Sequence, residues 1–344
     1  MSLITNIQCE IMTKLSEFYY YDIESITKLI RSKKAKNILL QVPEGLKALA
    51  YSLLDELKDR LKDVEIHMDL SPSYGSCLID TDVTSSYELV INLGHEKYPY
   101  WKPPSNVYFI DLLYKESLSS EVVEDTLSKI AEFGKNVAIY STAQHKHEVP
   151  RLAKILSSRG VNVINNLSST VILGCWFSDL DNVLGNLDAV LIISGGYFHG
   201  IGVGLRIRNS KPVLKLDPYE QKVELINNKV YRFLKIRYSK IMEALDAKNW
   251  LLVAGTRGQY RPSIICKLEK LLKKNKANYY ISRVAILSEH TLRNVDTEAI
   301  DAIIVTSCPR LPIEDLSKYH KPVLTPGEAL MILSNRIHNY MFPW

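Results

Sequence analysis

Three stretches of this 344-residue chain decide its fold: ILLQVPEG (38–45), VAIYSTAQ (137–144) and WLLVAGTRGQ (250–259). Each follows a Lys-Asn pair (Lys36-Asn37, Lys135-Asn136, Lys248-Asn249) and runs from an apolar stretch into a small or polar loop. A short continuous apolar run of this kind reads as a strand buried on both faces of a parallel sheet. An amphipathic segment follows each one, at 46–61, 147–160 and 263–276, with apolar residues at intervals of three and four and charges on the opposite face.

The resemblance among the three copies continues outward. Second strands are expected at 64–70, 161–167 and 277–284, and third strands at 87–95, 187–196 and 300–310. Fourth strands are expected at 106–112, 211–219 and 321–329, the last two sharing Lys-Pro-Val-Leu. Strands alternating with helices imply parallel sheets with right-handed crossovers. The expected class is α/β, with three repeated small parallel-sheet domains around a central site. The expected boundaries are 1–130 (with extra N-terminal helices), 131–238 and 239–344, and 219–247 reads as a long helix joining the second and third. One large doubly wound sheet is the alternative, and the recurrent motif order favours three domains.

Composition narrows the function classes. With 46% hydrophobic and 24% charged residues the chain is an ordinary globular protein, not a collagen, a disordered chain or a disulfide-stapled miniprotein. A net charge of +5 permits a phosphate-bearing or acidic partner without requiring nucleic acid. No apolar run is long enough to span a bilayer, and MSLITNIQCE has no signal-peptide pattern. A cytoplasmic protein with reduced thiols and no membrane association is expected.

Five cysteines are scattered along the chain: Cys9, Cys77, Cys175, Cys266 and Cys308. Ligands of open α/β sheets bind at the carboxyl ends of strands. Cys77 follows the second strand of the first domain, Cys175 the second strand of the second, and Cys308 the third strand of the third. Each domain thus offers one thiol at the functional edge of its sheet. Three converging thiolates suit a soft metal or a cluster, whereas structural zinc takes four ligands. Three Cys leave one position open, which fits a [4Fe–4S] cluster with one iron free for substrate. The competing reading makes each a small buried hydrophobe, and that is the expectation for Cys9 and Cys266.

Other polar residues gather at the same strand ends, among them Gln144, His95, His199, Asp217 and Glu328. The turn Gly255-Thr256-Arg257-Gly258-Gln259, with Arg261 and Arg310, would suit a carboxylate or phosphate, or is simply a tight strand–helix turn. His95 and His199 read as general bases or as satisfied loop histidines. The lysines between 267 and 276 read as a solvated helix face or a contact for an acidic partner or RNA.

SYGSCLID around Cys77, LGCW around Cys175 and SCPRLPIED around Cys308, with GGYFHGIGVGL, GTRGQ and KPVLTPGEA in order, resemble the diphthamide synthase family over nearly the whole chain. The resemblance implies a 2-(3-amino-3-carboxypropyl)histidine synthase with a [4Fe–4S] cluster held by Cys77, Cys175 and Cys308. It implies transfer of a 3-amino-3-carboxypropyl group from S-adenosylmethionine to the imidazole C2 of a histidine in translation elongation factor 2, by radical chemistry. It further implies an electron donor and a homodimer. Gln144, Gly255, Thr256, Arg257, Gln259 and Arg310 are the expected cofactor-binding residues. The chain departs from the family pattern at Trp176 after Cys175, at His95-Glu96-Lys97, and at GTRGQYRP. Two alternatives are a quinolinate synthase-like [4Fe–4S] dehydratase, also with three domains, and a non-catalytic iron–sulfur partner subunit.

Overall fold

A computed structural model describes residues 14–344. Cys9 and any helix before residue 14 lie outside the described residues. Three sheets carry the same strand arrangement. In the first, the order is Glu65–Met68, Asn37–Gln41, Leu89–Leu93, Val107–Ile110, all parallel. In the third it is Asn278–Val284, Asn249–Gly255, Ala302–Val305, Val323–Leu324, again all parallel. The second has Asn162–Val163, Asn136–Ser141, Ala189–Ile193 and Val213–Asp217 in the equivalent places, with Lys222–Leu225 added antiparallel at the edge. The repeated α/β expectation is borne out.

The repeated Lys-Asn pairs have a structural reason. Each pair opens the first strand of a lobe, and its backbone N–H groups face an acid that opens the third strand. Asp188 Oδ2 accepts from the N–H of Lys135 and Asn136, and Asp301 Oδ2 from Lys248 and Asn249, all at 2.8–2.9 Å. Glu88 plays the same part for the Lys36 N–H. Each acid thus pairs the backbone donors at the start of the first strand and ties that strand to the third.

Some expected elements differ. The second strand of the second lobe is only Asn162–Val163, because the Asn165 amide takes over. Its Oδ1 accepts from Ile139 N–H at 2.8 Å and its Nδ2 donates to Ile139 C=O at 2.9 Å, imitating a strand. The fourth strand of the third lobe ends at Leu324, where Thr325 and Glu328 form a capping box and Pro326 starts helix Pro326–Leu333. The segment 219–247 is not one helix. Asp217 accepts from the N–H of Tyr219 and Glu220, turning the chain into the strand Lys222–Leu225, and the helix spans Asn227–Glu243.

Helix Ser120–Ala131 contains the expected boundary at 130, and its stripe of Val122, Val123 and Ile130 shares a core with Val137, Ile139 and Leu191 of the second lobe. Helix Asn227–Glu243 contains the boundary at 238, and its Val230, Leu234 and Ile241 join one core with Val190 and Ile192 of the second lobe and Trp250 and Leu252 of the third. Within that junction Arg237 is wholly buried. It binds Glu328 through both Nε and Nη2 and donates to the carbonyls of Pro312 and Val323, while Tyr340 donates to Glu328. Glu328, expected at the functional edge, is a structural clasp instead. Asp217 likewise serves structure, accepting from the buried Lys215. Cys266, expected to be buried, is exposed, because the helix Pro262–Lys274 buries Ile265, Leu268 and Leu272. The lysines of that helix are exposed.

Candidate metal centre

The three lobes turn the carboxyl ends of their strands toward one cavity of about 560 Å³, a size suited to a small-molecule ligand. Cys77, Cys175 and Cys308 all line it. Local chemistry explains their placement. Cys77 lies in the tight turn Ser76–Leu78, whose Ser76 hydroxyl donates to Glu96 C=O at 2.6 Å. The turn Arg257–Gln259 of the third lobe presses on it from the other side. A Cβ at Gly258 would stand 2.8 Å from the Cα and O of Cys77, so only glycine permits this approach. Gln259 Nε2 donates to Cys77 Sγ at 3.6 Å. Cys175 follows Gly174, where a Cβ would overlap the Phe198 ring, and its Sγ contacts the Tyr98 hydroxyl at 3.6 Å. Cys308 follows strand Ala302–Val305 directly and precedes Pro309.

Burial pushes all three thiols up, so the metal-free site holds them protonated at neutral pH. Cys175 rises well above its ordinary value through desolvation and then the proximity of Cys77 and Cys308. Cys308 is pushed up to about 12 by desolvation and Cys77, and partly relieved by the Arg310 N–H and charge. Cys77 is raised by desolvation, against which the Gln259 amide and Arg261 act. Among the described residues, no group of three His, Cys, Asp or Glu converges tightly enough to hold a single ion.

The expected cofactor residues divide into two groups. Gln144 and Arg310 line the cavity. Gln144 Nε2 donates to Gly94 C=O at 2.7 Å across the first and second lobes, and Arg310 is held by Glu314 at 3.0 Å. Arg257 and Gln259 meet the Cys77 turn, donating to Leu78 C=O and Cys77 Sγ, and Gly255 and Thr256 lead into them from the strand. Arg257, at φ +56°, is ion-paired with Asp80, so its charge fastens the third lobe to the first. A Cβ at Gly255 would crowd Gln259 and Ser307. The buried hydroxyls of Thr256 and Ser307 have no partner among the described residues.

His95 and His199 both line the cavity, and desolvation lowers each to about 4. They are neutral at pH 7. His95 Nδ1 lies 3.1 Å from Asn92 Oδ1, Asn92 donates to Gln41, and Gln41 donates to Asp69. Sequence reasoning missed the aromatic cage of Tyr98, Tyr100 and Trp344 around Arg261, since residues more than 80 positions away on either side of Arg261 meet only in the folded chain.

A family described as "Putative diphthamide synthesis protein" matches residues 42–342. The chain belongs to the diphthamide synthesis family. The 2-(3-amino-3-carboxypropyl)histidine synthase of Pyrococcus horikoshii is 30% identical over 90% of this chain and 90% of its own length. That of Methanocaldococcus jannaschii is 24% identical over 95% and 93%. The crystal structure of Dph2 from Pyrococcus horikoshii with a 4Fe-4S cluster superposes with a TM-score of 0.79 at 27% identity, covering 94% of this chain and 93% of that one. The expectation of an enzyme of the diphthamide synthase class is borne out by these relatives, which do not carry the name of quinolinate synthase. Among the described residues no helix is long and apolar enough to cross a membrane.

Proposed function

We propose that this enzyme transfers the 3-amino-3-carboxypropyl group of S-adenosylmethionine to the imidazole C2 of a histidine in translation elongation factor 2. The observation that carries the reading is one thiol from each of three repeated lobes on a single cavity. Cys77, Cys175 and Cys308 would hold a [4Fe–4S] cluster. The donor set fits: three thiols, one from each lobe, line a single cavity, and thiolates are the ligands that iron–sulfur clusters take. The neighbouring cluster-bearing Dph2 structure supports the same assignment. When bound and reduced, the cluster supplies the electron for cleaving a carbon–sulfur bond of S-adenosylmethionine.

The chain's own residues have separable tasks. Arg310, facing the cavity beside Cys308, steadies the carboxylate of the methionine moiety, and Gln144 offers a polar edge on the opposite lobe. Gly255, Thr256, Arg257 and Gln259 act from behind, holding the Cys77 turn in place. Neutral His95 and His199 add no charge that would compete with the cluster. The apolar walls, including Ile172, Leu173 and Phe198, exclude water from a reactive alkyl species. The first working unit ends near 118, so that helix Ser120–Ala131 belongs with the second sheet, and helix Asn227–Glu243 joins the second unit to the third. A cytoplasmic homodimer served by an external electron donor accords with the family.

The test is anaerobic reconstitution followed by iron analysis and incubation with reductant, S-adenosylmethionine and elongation factor 2. About four irons per chain and a modified factor are expected. Zinc without iron, or a loaded protein that leaves the factor unmodified, overturns the reading.

A further inference from the structure

Arg261 is 7% exposed, and its Nε and Nη2 have no hydrogen-bond partner among the described residues. A buried guanidinium in that state is costly, and native proteins rarely leave one so. Its position adds to the cost. Arg261 is the N-cap of helix Pro262–Lys274, where the helix dipole opposes a cation. The aromatic cage compensates only in part. Its guanidinium carbon stands 3.8 Å from the Trp344 ring centroid, 4.8 Å from Tyr100 and 5.3 Å from Tyr98, and rings attract a cation through their faces without accepting its in-plane N–H groups. No carboxylate among the described residues forms an ion pair with Arg261, and Asp80, which the preceding turn reaches, is paired with Arg257.

The groups left to answer the charge are the cysteines. Arg261 comes two residues after Gln259, whose amide donates to Cys77 Sγ at 3.6 Å, and the hydroxyl of the cage residue Tyr98 lies 3.6 Å from Cys175 Sγ. An orphaned cation therefore follows the turn that touches one proposed ligand and is held by a residue that touches another.

We infer that Arg261 is the counter-cation of the anionic cluster that Cys77, Cys175 and Cys308 would hold, donating its free N–H groups toward that cluster and raising its reduction potential. It is a positioning residue: it acts through the cysteines and needs no contact with S-adenosylmethionine. The inference rests on the cluster reading above. A positive charge in a desolvated site favours the reduced cluster, which carries one more electron.

The experiment is a potentiometric titration of the anaerobically reconstituted full chain, following the electron paramagnetic resonance signal of the reduced cluster. Wild type, Arg261→Gln and Arg261→Lys are compared. Arg261→Gln should lower the midpoint potential, shifting the reduced-to-oxidised ratio at fixed potential about tenfold, roughly 59 mV for one electron. Arg261→Lys, which keeps the charge, should recover most of that shift. Iron retained by the Lys variant and lost from the Gln variant supports the same role. A fully loaded Arg261→Gln protein at the wild-type potential overturns the inference, as does equal loss of iron or fold in both variants, which would make Arg261 a packing residue. Wild type that binds no iron defeats the cluster reading instead, so the two failures are distinguishable.

Discussion

Gln259 of the third lobe donates to the sulfur of Cys77 in the first, at 3.6 Å. The contact joins two chain segments 182 residues apart and makes the proposed ligand set a property of the assembled lobes. The same turn brings Gly258 against the Cys77 backbone and Arg257 onto Asp80. A cluster bound here would therefore lock the lobes together, and the lobes would in turn set the spacing of the thiols.

The cysteines are the first target. Cys77→Ser, Cys175→Ser and Cys308→Ser should each leave a folded protein that retains less than half the wild-type iron after anaerobic gel filtration. Cys266→Ser, exposed on its helix, should retain all of it. Iron content equal across the four variants would refute the assignment.

Gly258→Ala places a methyl 2.8 Å from the Cys77 backbone. Backbone cannot yield as a flexible side chain can, so the turn must retreat. Iron loading should fall severalfold while the far-ultraviolet circular dichroism stays native. Wild-type loading would show that the approach of the third lobe does not position Cys77.

How much of this was legible in the chain is seen in particular residues. The three Lys-Asn openings and the apolar runs behind them marked the strand repeat, because a buried parallel strand demands uninterrupted apolar residues whatever surrounds it. The acids Glu88, Asp188 and Asp301 that explain the pairs were invisible, since their role depends on a strand pairing some fifty residues away. Cys77, Cys175 and Cys308 could be singled out because strand-end position is a local property. The fates of Arg257 and Glu328 could not be read, because their partners Asp80 and Arg237 are brought up only by docking of the lobes. The strand Lys222–Leu225 was hidden in a helical-looking stretch because the Asp217 turn that reverses the chain depends on one carboxylate.

The clasp between the second and third lobes gives a stability prediction. Glu328→Ala strands the buried Arg237 charge and removes the acceptor of Tyr340. Breaking one side of a buried pair costs about 3–5 kcal/mol. Urea unfolding should show a loss of that order, and the double variant Arg237→Met/Glu328→Leu should recover part of it. A midpoint unchanged by Glu328→Ala would contradict the clasp.

His145 predicts a pH dependence. It is 1% exposed, packed edge-on against Tyr114 and Tyr219, and its pKa is lowered to about 4 by desolvation, with a smaller contribution from His147. In the unfolded chain it titrates near 6.5, so between those values the unfolded state binds more protons. Stability is full above about pH 6.5 and declines as pH falls toward 4, with a limiting slope of ~1.4 kcal/mol per pH unit from this residue. Chemical denaturation at pH 7 and pH 5 should show the loss, and His145→Gln should reduce it. An unchanged pH dependence in His145→Gln would contradict the account.

The central claim is that this cavity directs S-adenosylmethionine to yield its aminocarboxypropyl group to a partner's histidine. The most direct measurement supplies the reduced, reconstituted enzyme and elongation factor 2 with S-adenosylmethionine labelled either in the aminocarboxypropyl portion or in the methyl group. The account predicts that the first label appears on the factor, that the second does not, and that Cys175→Ser abolishes the transfer. Methyl label on the factor, or aminocarboxypropyl transfer undiminished in Cys175→Ser, would contradict it.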